Sequence, residues 1–208
     1  MKKNWIFLSM VAALLINLIG CEGKQIEEAP QMSEWAKAYY DYLAEGDLES
    51  DFYYEAENYS LCLCYIDDDS IPELYVDAGV LSGYALYAYY NGKVVQLFES
   101  NGSNFIKWIE GSGRVLYKQG LSAMYAESVW IYEMTNGELQ QIAEGTLITQ
   151  DYADWYEGDL PPSTWNGQDV TEEEYRALLN EVFDTSKLSY DENDLIDLYS
   201  MLDILTSL

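Results

Sequence analysis

The segment Tyr84–Phe98, YALYAYYNGKVVQLF, determines the fold class of this chain. Two runs of strand-forming residues, Tyr84–Tyr90 and Lys93–Phe98, stand on either side of the pair Asn91-Gly92. Both residues of such a pair tolerate the positive φ angles of a type I′ turn, so the pattern predicts a β-hairpin. Because a hairpin joins antiparallel strands, we expect an antiparallel sheet.

Similar runs occur on both sides of this hairpin, and most of them are separated by Gly or Asn-Gly turns. The further strand candidates are Tyr59–Ile66, Pro72–Asp77, Asn104–Ile109, Arg114–Lys118, Ser128–Met134 and Glu138–Leu147. The connections between them are too short to hold crossover helices, which parallel strands would require. The chain is therefore predicted to form an antiparallel β meander of about eight strands.

Helical periodicity precedes and follows the strands. Ser33 is a candidate N-cap for one short amphipathic helix. Thr171 and Glu174 have the spacing of a capping box, and Asp191–Leu205 repeats leucine at helical spacing. The predicted fold class is α+β, a single domain over residues 33–208, with one N-terminal helix and two C-terminal helices packed on the meander.

The first 20 residues have the order of an export signal, because two lysines are followed by an apolar run from Trp5 to Ile19 and a small residue. This run is shorter than the roughly 20 residues that span a bilayer, which disfavours an uncleaved anchor. The tetrad ending at Cys21, LIGC, resembles the lipobox of bacterial lipoproteins. The resemblance implies cleavage before Cys21, lipid attachment to its thiol, and a mature chain held at the extracytoplasmic face of the cell membrane. Residues 21–32 would be the lipidated N-terminus and a flexible tether.

The segment Leu61–Asp77, LCLCYIDDDSIPELYVD, contains an acidic turn between two strand candidates. Asp67, Asp69 and Glu73 fit the third, fifth and ninth positions of a calcium loop. The first ligand, the turn glycine and the bidentate twelfth ligand are replaced by Tyr65, Ser70 and Val76. Two interpretations follow: a weak calcium site at Asp67, Asp69 and Glu73, or a solvated acidic turn, which the missing ligands favour.

The same segment resembles the "DIDGDGIPEL" stretch of uncharacterised cell-surface lipoproteins of gut Firmicutes. The similarity continues through YYNGKVVQL, GSGRVLY, IYEMTNGELQQIAEG and WNGQDVTEEEYRALLNEVF, and covers most of residues 33–185. It implies a shared fold and a surface location, without an activity. The chain departs from that pattern at Tyr65, Asp68 and Ser70.

Cys62 and Cys64 stand two residues apart on a predicted strand, so both thiols point to one face. They are predicted to be two small buried hydrophobic residues, with a redox or soft-metal pair as the alternative.

Aromatic residues are concentrated in the connection 151–166, and the chain has 20 tyrosines. Exposed rings stack on sugars and line peptide grooves, so this connection is a candidate ligand-binding surface; its rings are Tyr152, Trp155, Tyr156 and Trp165. The alternative is that these rings hold the connection against the sheet.

Two compositional facts exclude classes of function. The chain has no histidine, which rules out Ser/His and Cys/His nucleophile pairs and histidine zinc ligands. Its net charge of -27 would repel nucleic acids. We therefore expect a membrane-anchored, non-catalytic module without a required cofactor, which binds a glycan, a peptide or a protein. The alternatives are a carboxylate-dependent glycoside hydrolase and a structural accessory protein of the envelope.

Overall fold

A computed structural model of the chain describes residues 32–45, 59–79, 83–100, 104–121, 126–149, 161–188 and 194–208. Every described residue belongs to one compact unit, Met32–Leu208. Four residues with a predicted role lie outside the described ranges, namely Cys21, Tyr152, Trp155 and Tyr156.

The described residues form three α-helices and eleven β-strands. The helices are α1 (Glu34–Ala44), α2 (Glu172–Val182) and α3 (Leu198–Leu205). The strands are β1 (Ser60–Cys64), β2 (Glu73–Asp77), β3 (Tyr84–Tyr90), β4 (Lys93–Ser100), β5 (Asn104–Ile109), β6 (Arg114–Leu121), β7 (Ala126–Thr135), β8 (Glu138–Ile148), β9 (Ser163–Trp165), β10 (Gln168–Val170) and β11 (Ile196–Asp197).

The strands are divided between two antiparallel sheets. Sheet A has the order β11-β1-β2-β3-β4, and sheet B has the order β10-β9-β8-β7-β6-β5. Strands β1 to β4 and β5 to β10 each follow the chain as a meander, so the predicted α+β class with a β meander is confirmed. Three of the eleven strands, β9, β10 and β11, were not predicted.

Asn-Gly turns close three of the hairpins. Asn91 and Asn136 have φ angles of 51° and 52°, as the type I′ prediction requires. A third such turn, Asn166-Gly167, joins β9, which lies within the predicted connection 151–166, to β10, which follows it. These short strands escape prediction because three residues on each side of a turn carry too little alternation to be recognised.

The helices begin at the caps that the sequence predicts, with one exception. Thr171 Oγ1 accepts a hydrogen bond from the Glu174 amide at 3.2 Å, and Glu174 Oε2 accepts one from the Thr171 amide at 2.8 Å, which completes the capping box of α2. The exception is α3, which begins at Leu198, because Asp197 caps it and Ile196–Asp197 pairs with β1 instead. No helix within the described ranges is long and apolar enough to cross a bilayer.

Three buried clusters arrange the domain in four layers. The first joins α1 and α3 to the outer face of sheet A; among its members are Tyr39, Leu61, Val76, Tyr87 and Met201. The second lies between the sheets; among its members are Cys62, Tyr75, Leu86, Ile106 and Trp108. The third joins α2 to the outer face of sheet B; among its members are Val129, Ile131, Trp165, Tyr175 and Phe183. The layers are therefore α1 with α3, sheet A, sheet B and α2.

Candidate functional site

The tip of the acidic turn between β1 and β2 is exposed at Asp68 and Ser70, as expected, but the expectation of a solvated turn is wrong for Asp67 and Glu73. Asp67 is 6% exposed and Glu73 is 2% exposed, whereas Asp68 is exposed. The amides of Asp69 and Asn136 donate to the two carboxylate oxygens of Asp67 at 3.1 and 2.9 Å. The Ile66 amide donates to Glu73 Oε2 at 3.0 Å.

These bonds make the turn a connection between the two sheets. Asn136 belongs to the β7–β8 turn of sheet B, and two amides of the β5–β6 turn, Gly111 and Gly113, donate to the carbonyls of Tyr65 and Ile66 at 2.8 and 2.7 Å. Burial of acids is tolerated here because backbone donors replace water.

The three acids predicted to hold calcium are engaged with the backbone. Asp69 Oδ1 accepts from the Ile71 amide at 2.6 Å, in addition to the bonds of Asp67 and Glu73. Among the described residues, no group of three or more His, Cys, Asp or Glu side chains is placed to hold a metal ion. The calcium site at Asp67, Asp69 and Glu73 stays a prediction.

Burial changes the ionisation of the residues around this turn. Desolvation, and then the nearby Asp67 and Asp69 carboxylates, raise the pKa of Glu73 to about 8, although the Ile66 amide acts in the opposite direction. Cys62 and Cys64 are buried free thiols, and burial followed by the Cys62 thiol raises the pKa of Cys64 well above its ordinary value. Because a thiol of raised pKa is a poor nucleophile, Cys64 is poorly suited to nucleophilic chemistry.

Trp165 is a core residue, which corrects its expected place on an exposed binding surface. Its side chain is 6% exposed, and its ring meets the Tyr175 ring edge-on with centroids 5.5 Å apart. A Cβ atom at Gly145 would stand 2.6 Å from the Trp165 ring, so a glycine is required below it. For Trp165, the second interpretation is therefore correct: its ring holds its segment against the sheet.

A different surface brings half-buried aromatic rings together on the face of sheet B that is turned away from α2. Cross-strand register aligns Ile106, Tyr117, Trp130 and Glu144 in one row over four strands. Tyr117 lies 5.7 Å from Trp130 between ring centroids. Phe98, from the edge strand β4 of sheet A, stacks on Tyr117 at 5.8 Å. Aromatic side chains thus extend the core between the sheets beyond the edge strand β4 of sheet A, where they form a partly exposed surface.

Polar side chains border these rings. A cavity of about 180 Å³ lies beside them and is lined by Val129, Trp130, Glu144, Gly145, Thr146, Thr164 and Gly167. Ser128 and Thr146 share a hydrogen bond of 2.9 Å between their hydroxyl oxygens. We call this surface the Trp130 face and define it by Phe98, Tyr117, Ser128, Trp130, Tyr132, Glu144, Thr146 and Thr164.

The Trp130 face is held rigidly. The Asn166 side chain accepts from the Glu144 amide at 2.9 Å, and the Asn166 amide donates to the Glu144 carbonyl at 2.8 Å. The Asn104 amide group donates to the Tyr117 hydroxyl at 2.9 Å. Burial raises the pKa of Tyr117 and of Tyr132, so both phenols stay protonated at neutral pH. The surface therefore offers apolar rings, neutral hydroxyls and a carboxylate.

The sequence contained part of the signal for this surface. Alternation along β7 places Ser128, Trp130 and Tyr132 on one side and Val129 and Ile131 on the other. Both sides carry large apolar residues, so alternation alone does not reveal which one α2 covers.

Searches with the sequence and with the structure found no matching family model, no matching curated protein and no matching solved structure.

Proposed function

We propose that this chain is an extracytoplasmic module, anchored to the membrane by lipid at Cys21, that binds a neutral glycan on the Trp130 face without cleaving it. One observation carries the proposal: a contiguous row of half-buried aromatic rings lies beside a cavity lined by hydroxyl and carboxylate groups. Sites for small molecules commonly combine apolar rings with a few polar groups that fix orientation.

A sugar ring matches both parts of this surface. The axial C–H groups of a pyranose form an apolar face that packs on an aromatic ring, while its equatorial hydroxyls point sideways to polar partners. Trp130 supplies the largest ring, and Thr146 and Thr164 supply hydroxyls that donate and accept. Glu144 supplies a carboxylate that accepts bonds from sugar hydroxyls.

Charge favours neutral over acidic glycans. The chain carries a net charge of -27, and Glu144 lies within the cavity itself. The net charge would repel a uronic acid or sulfated sugar at long range, and Glu144 would repel it when it is bound beside the Trp130 ring.

The anchor rests on the sequence pattern that ends at Cys21. Each buried methylene of an acyl chain contributes about 0.8 kcal/mol, so two or more chains hold a protein firmly to one leaflet. A module fixed in this way would collect glycan fragments close to the cell surface.

The test measures binding by affinity gel electrophoresis and isothermal titration calorimetry, with the chain from residue 22 onward. The probes are mixed-linkage β-glucan, xylan and galactomannan, with polygalacturonate as the acidic control. We expect Trp130→Ala to weaken binding of at least one neutral polysaccharide by about 2 kcal/mol, which is about 30-fold. The matched control is Tyr199→Ala, which removes an exposed aromatic ring from α3.

Two outcomes would contradict the glycan proposal: equal losses in both variants, or tighter binding of polygalacturonate than of every neutral polysaccharide. The anchor is tested separately, by growth of cells that make the full chain with an alkyne-labelled fatty acid. We expect Cys21→Ala to lose the label and to leave the membrane fraction. An unchanged label would contradict attachment at Cys21.

A further inference from the structure

A second cavity, of about 460 Å³, lies beside strand β1 of sheet A. Its walls include Leu63 and Tyr65 of the β1 region, Trp108 of β5, and Met201 and Ile204 of α3. None of these residues belongs to the Trp130 face. The cavity therefore needs an explanation of its own.

The backbone edge of β1 faces this cavity. Strand β11 pairs with Ser60 and Leu61 only, and β2 occupies the opposite edge of β1. Among the described residues, no backbone hydrogen bond joins the stretch 62–64 to a partner beyond β2; the next bond along the chain runs from the Gly111 amide to the Tyr65 carbonyl, directly after β1. In a paired strand, alternate residues direct their N–H and C=O groups to the outer side. Because the Tyr65 carbonyl faces this outer side, the N–H and C=O groups of Leu63 face it too, and among the described residues the open span of the edge is centred on Leu63.

The chemistry of the walls specifies what fits there. Ile204 is 41% exposed at the cavity, and Tyr65 is also exposed, so apolar surface is available to a partner. The two charged residues in the lining, Glu110 and Asp194, are both acidic. With a chain charge of -27, this combination attracts a basic ligand that carries apolar groups.

We propose that this β1 edge groove binds an extended segment of a basic partner protein, which adds to sheet A as a short strand. In strand addition, backbone bonds provide affinity and alternate side chains provide specificity. One side of the segment would place apolar side chains against Met201 and Ile204 of α3, and the other side would place lysines or arginines toward Glu110, which follows β5 of sheet B. The groove is a protein-binding surface, independent of the glycan site.

The probe is a fluorescein-labelled hexapeptide of alternating lysine and valine, measured by fluorescence anisotropy with the chain from residue 22 onward. Its two controls are the glutamate-valine peptide and a lysine-valine peptide with methylated backbone nitrogens, which cannot donate. We expect the acidic peptide not to bind, and we expect N-methylation to weaken binding about 10-fold. Backbone amide shifts should be largest over residues 62–65 in a two-dimensional NMR spectrum.

Two variants that each introduce one positive charge show where the peptide binds. Ile204→Lys places an ammonium in the lining, and Leu208→Lys places one at a residue of similar exposure, 47% against 41%, outside the lining. We expect about a 10-fold loss of peptide binding for the first and less than about 2-fold for the second. Trp130→Ala should leave peptide binding unchanged.

Three results would overturn the groove proposal. These are an absence of binding by the basic peptide at millimolar concentration, equal binding of the N-methylated peptide, and equal losses in the two lysine variants. If n-butylamine shifted the same amides at the same concentration as the peptide, the cavity would be a site for small amines, and strand addition would be wrong.

Discussion

Trp130 and Trp165 lie on opposite faces of sheet B, on the two strands that flank β8. Cross-strand register places Trp130 opposite Glu144 and Trp165 opposite Gly145, so neighbouring residues of one strand support the two rings. Trp165 is buried under α2 against Tyr175, whereas Trp130 stays half-buried beside hydroxyl groups. The same residue type thus serves as core on one face and as a candidate binding surface on the other.

The difference arises from what covers each face. Helix α2 begins at the capping box of Thr171 and buries Tyr175 against Trp165. On the opposite face, sheet A reaches the aromatic row through Phe98 of its edge strand β4. A tryptophan in a strand therefore acquires its role from the neighbouring layer, which is determined far away in the sequence.

The largest expected effect is the difference in unfolding free energy between substitutions of the two tryptophans. Trp165→Ala should lower the free energy of unfolding by about 3–5 kcal/mol, because it opens a cavity between α2 and sheet B. Trp130→Ala should lower it by less than about 2 kcal/mol, since its ring already contacts water. Urea denaturation followed by circular dichroism measures both values. Equal losses would mean that Trp130 is also a core residue.

The second expected effect is a change in the pH dependence of stability. It compares a buried glutamate, Glu73, with an exposed one, Glu144. The pKa of Glu73, about 8 in the folded state, lies above its ordinary value of 4.5. Between these values the folded chain holds a proton that the unfolded chain releases, so the contribution of Glu73 to stability is fully present below pH 4.5 and is lost as the pH rises through 8. At pH 7 the loss attributable to Glu73 amounts to roughly 3 kcal/mol.

Glu73→Gln removes the titrating group and keeps an oxygen that accepts from the Ile66 amide. The decrease in unfolding free energy between pH 5 and 8, measured by urea titration, should be smaller in this variant than in the parent. Glu144→Gln removes an exposed carboxylate and is the matched control for the loss of one negative charge. The interpretation would be wrong if the Glu73→Gln curve followed that of the parent.

Local sequence signals predicted most of the fold and little of the site. Asn91 and Asn136 specify their turns through backbone preference alone, and the capping box of Thr171 acts within one helical turn. The burial of Asp67 depends on the Asn136 amide, 69 residues away, and the division between Trp130 and Trp165 depends on the placement of α2. Properties of this second kind require the tertiary structure.

The third effect concerns Gly145, which lies between the two tryptophans. Gly145→Ala should lower the unfolding free energy by about 1–3 kcal/mol, because the added Cβ would stand 2.6 Å from the Trp165 ring and 2.8 Å from the Tyr175 ring. The matched variant is Thr146→Ala, on the Trp130 face, which should cost about 1 kcal/mol through the lost hydroxyl bond. Calorimetric melting measures both. A melting temperature unchanged by Gly145→Ala would show that the ring of Trp165 moves freely under α2.

The smallest expected effect tests whether α2 influences only the face of sheet B on which it packs. Thr171→Ala should lower the unfolding free energy by about 1 kcal/mol, because the Glu174 amide at the start of α2 loses its acceptor. Thr171→Ser keeps the acceptor oxygen and should restore most of that loss, which separates capping from general damage. Glycan affinity should be unchanged in both variants, since α2 packs on the face of sheet B opposite Trp130. If Thr171→Ala weakened glycan binding in the fully folded protein, the two faces would be coupled through β8, and the independence of the Trp130 face would be lost.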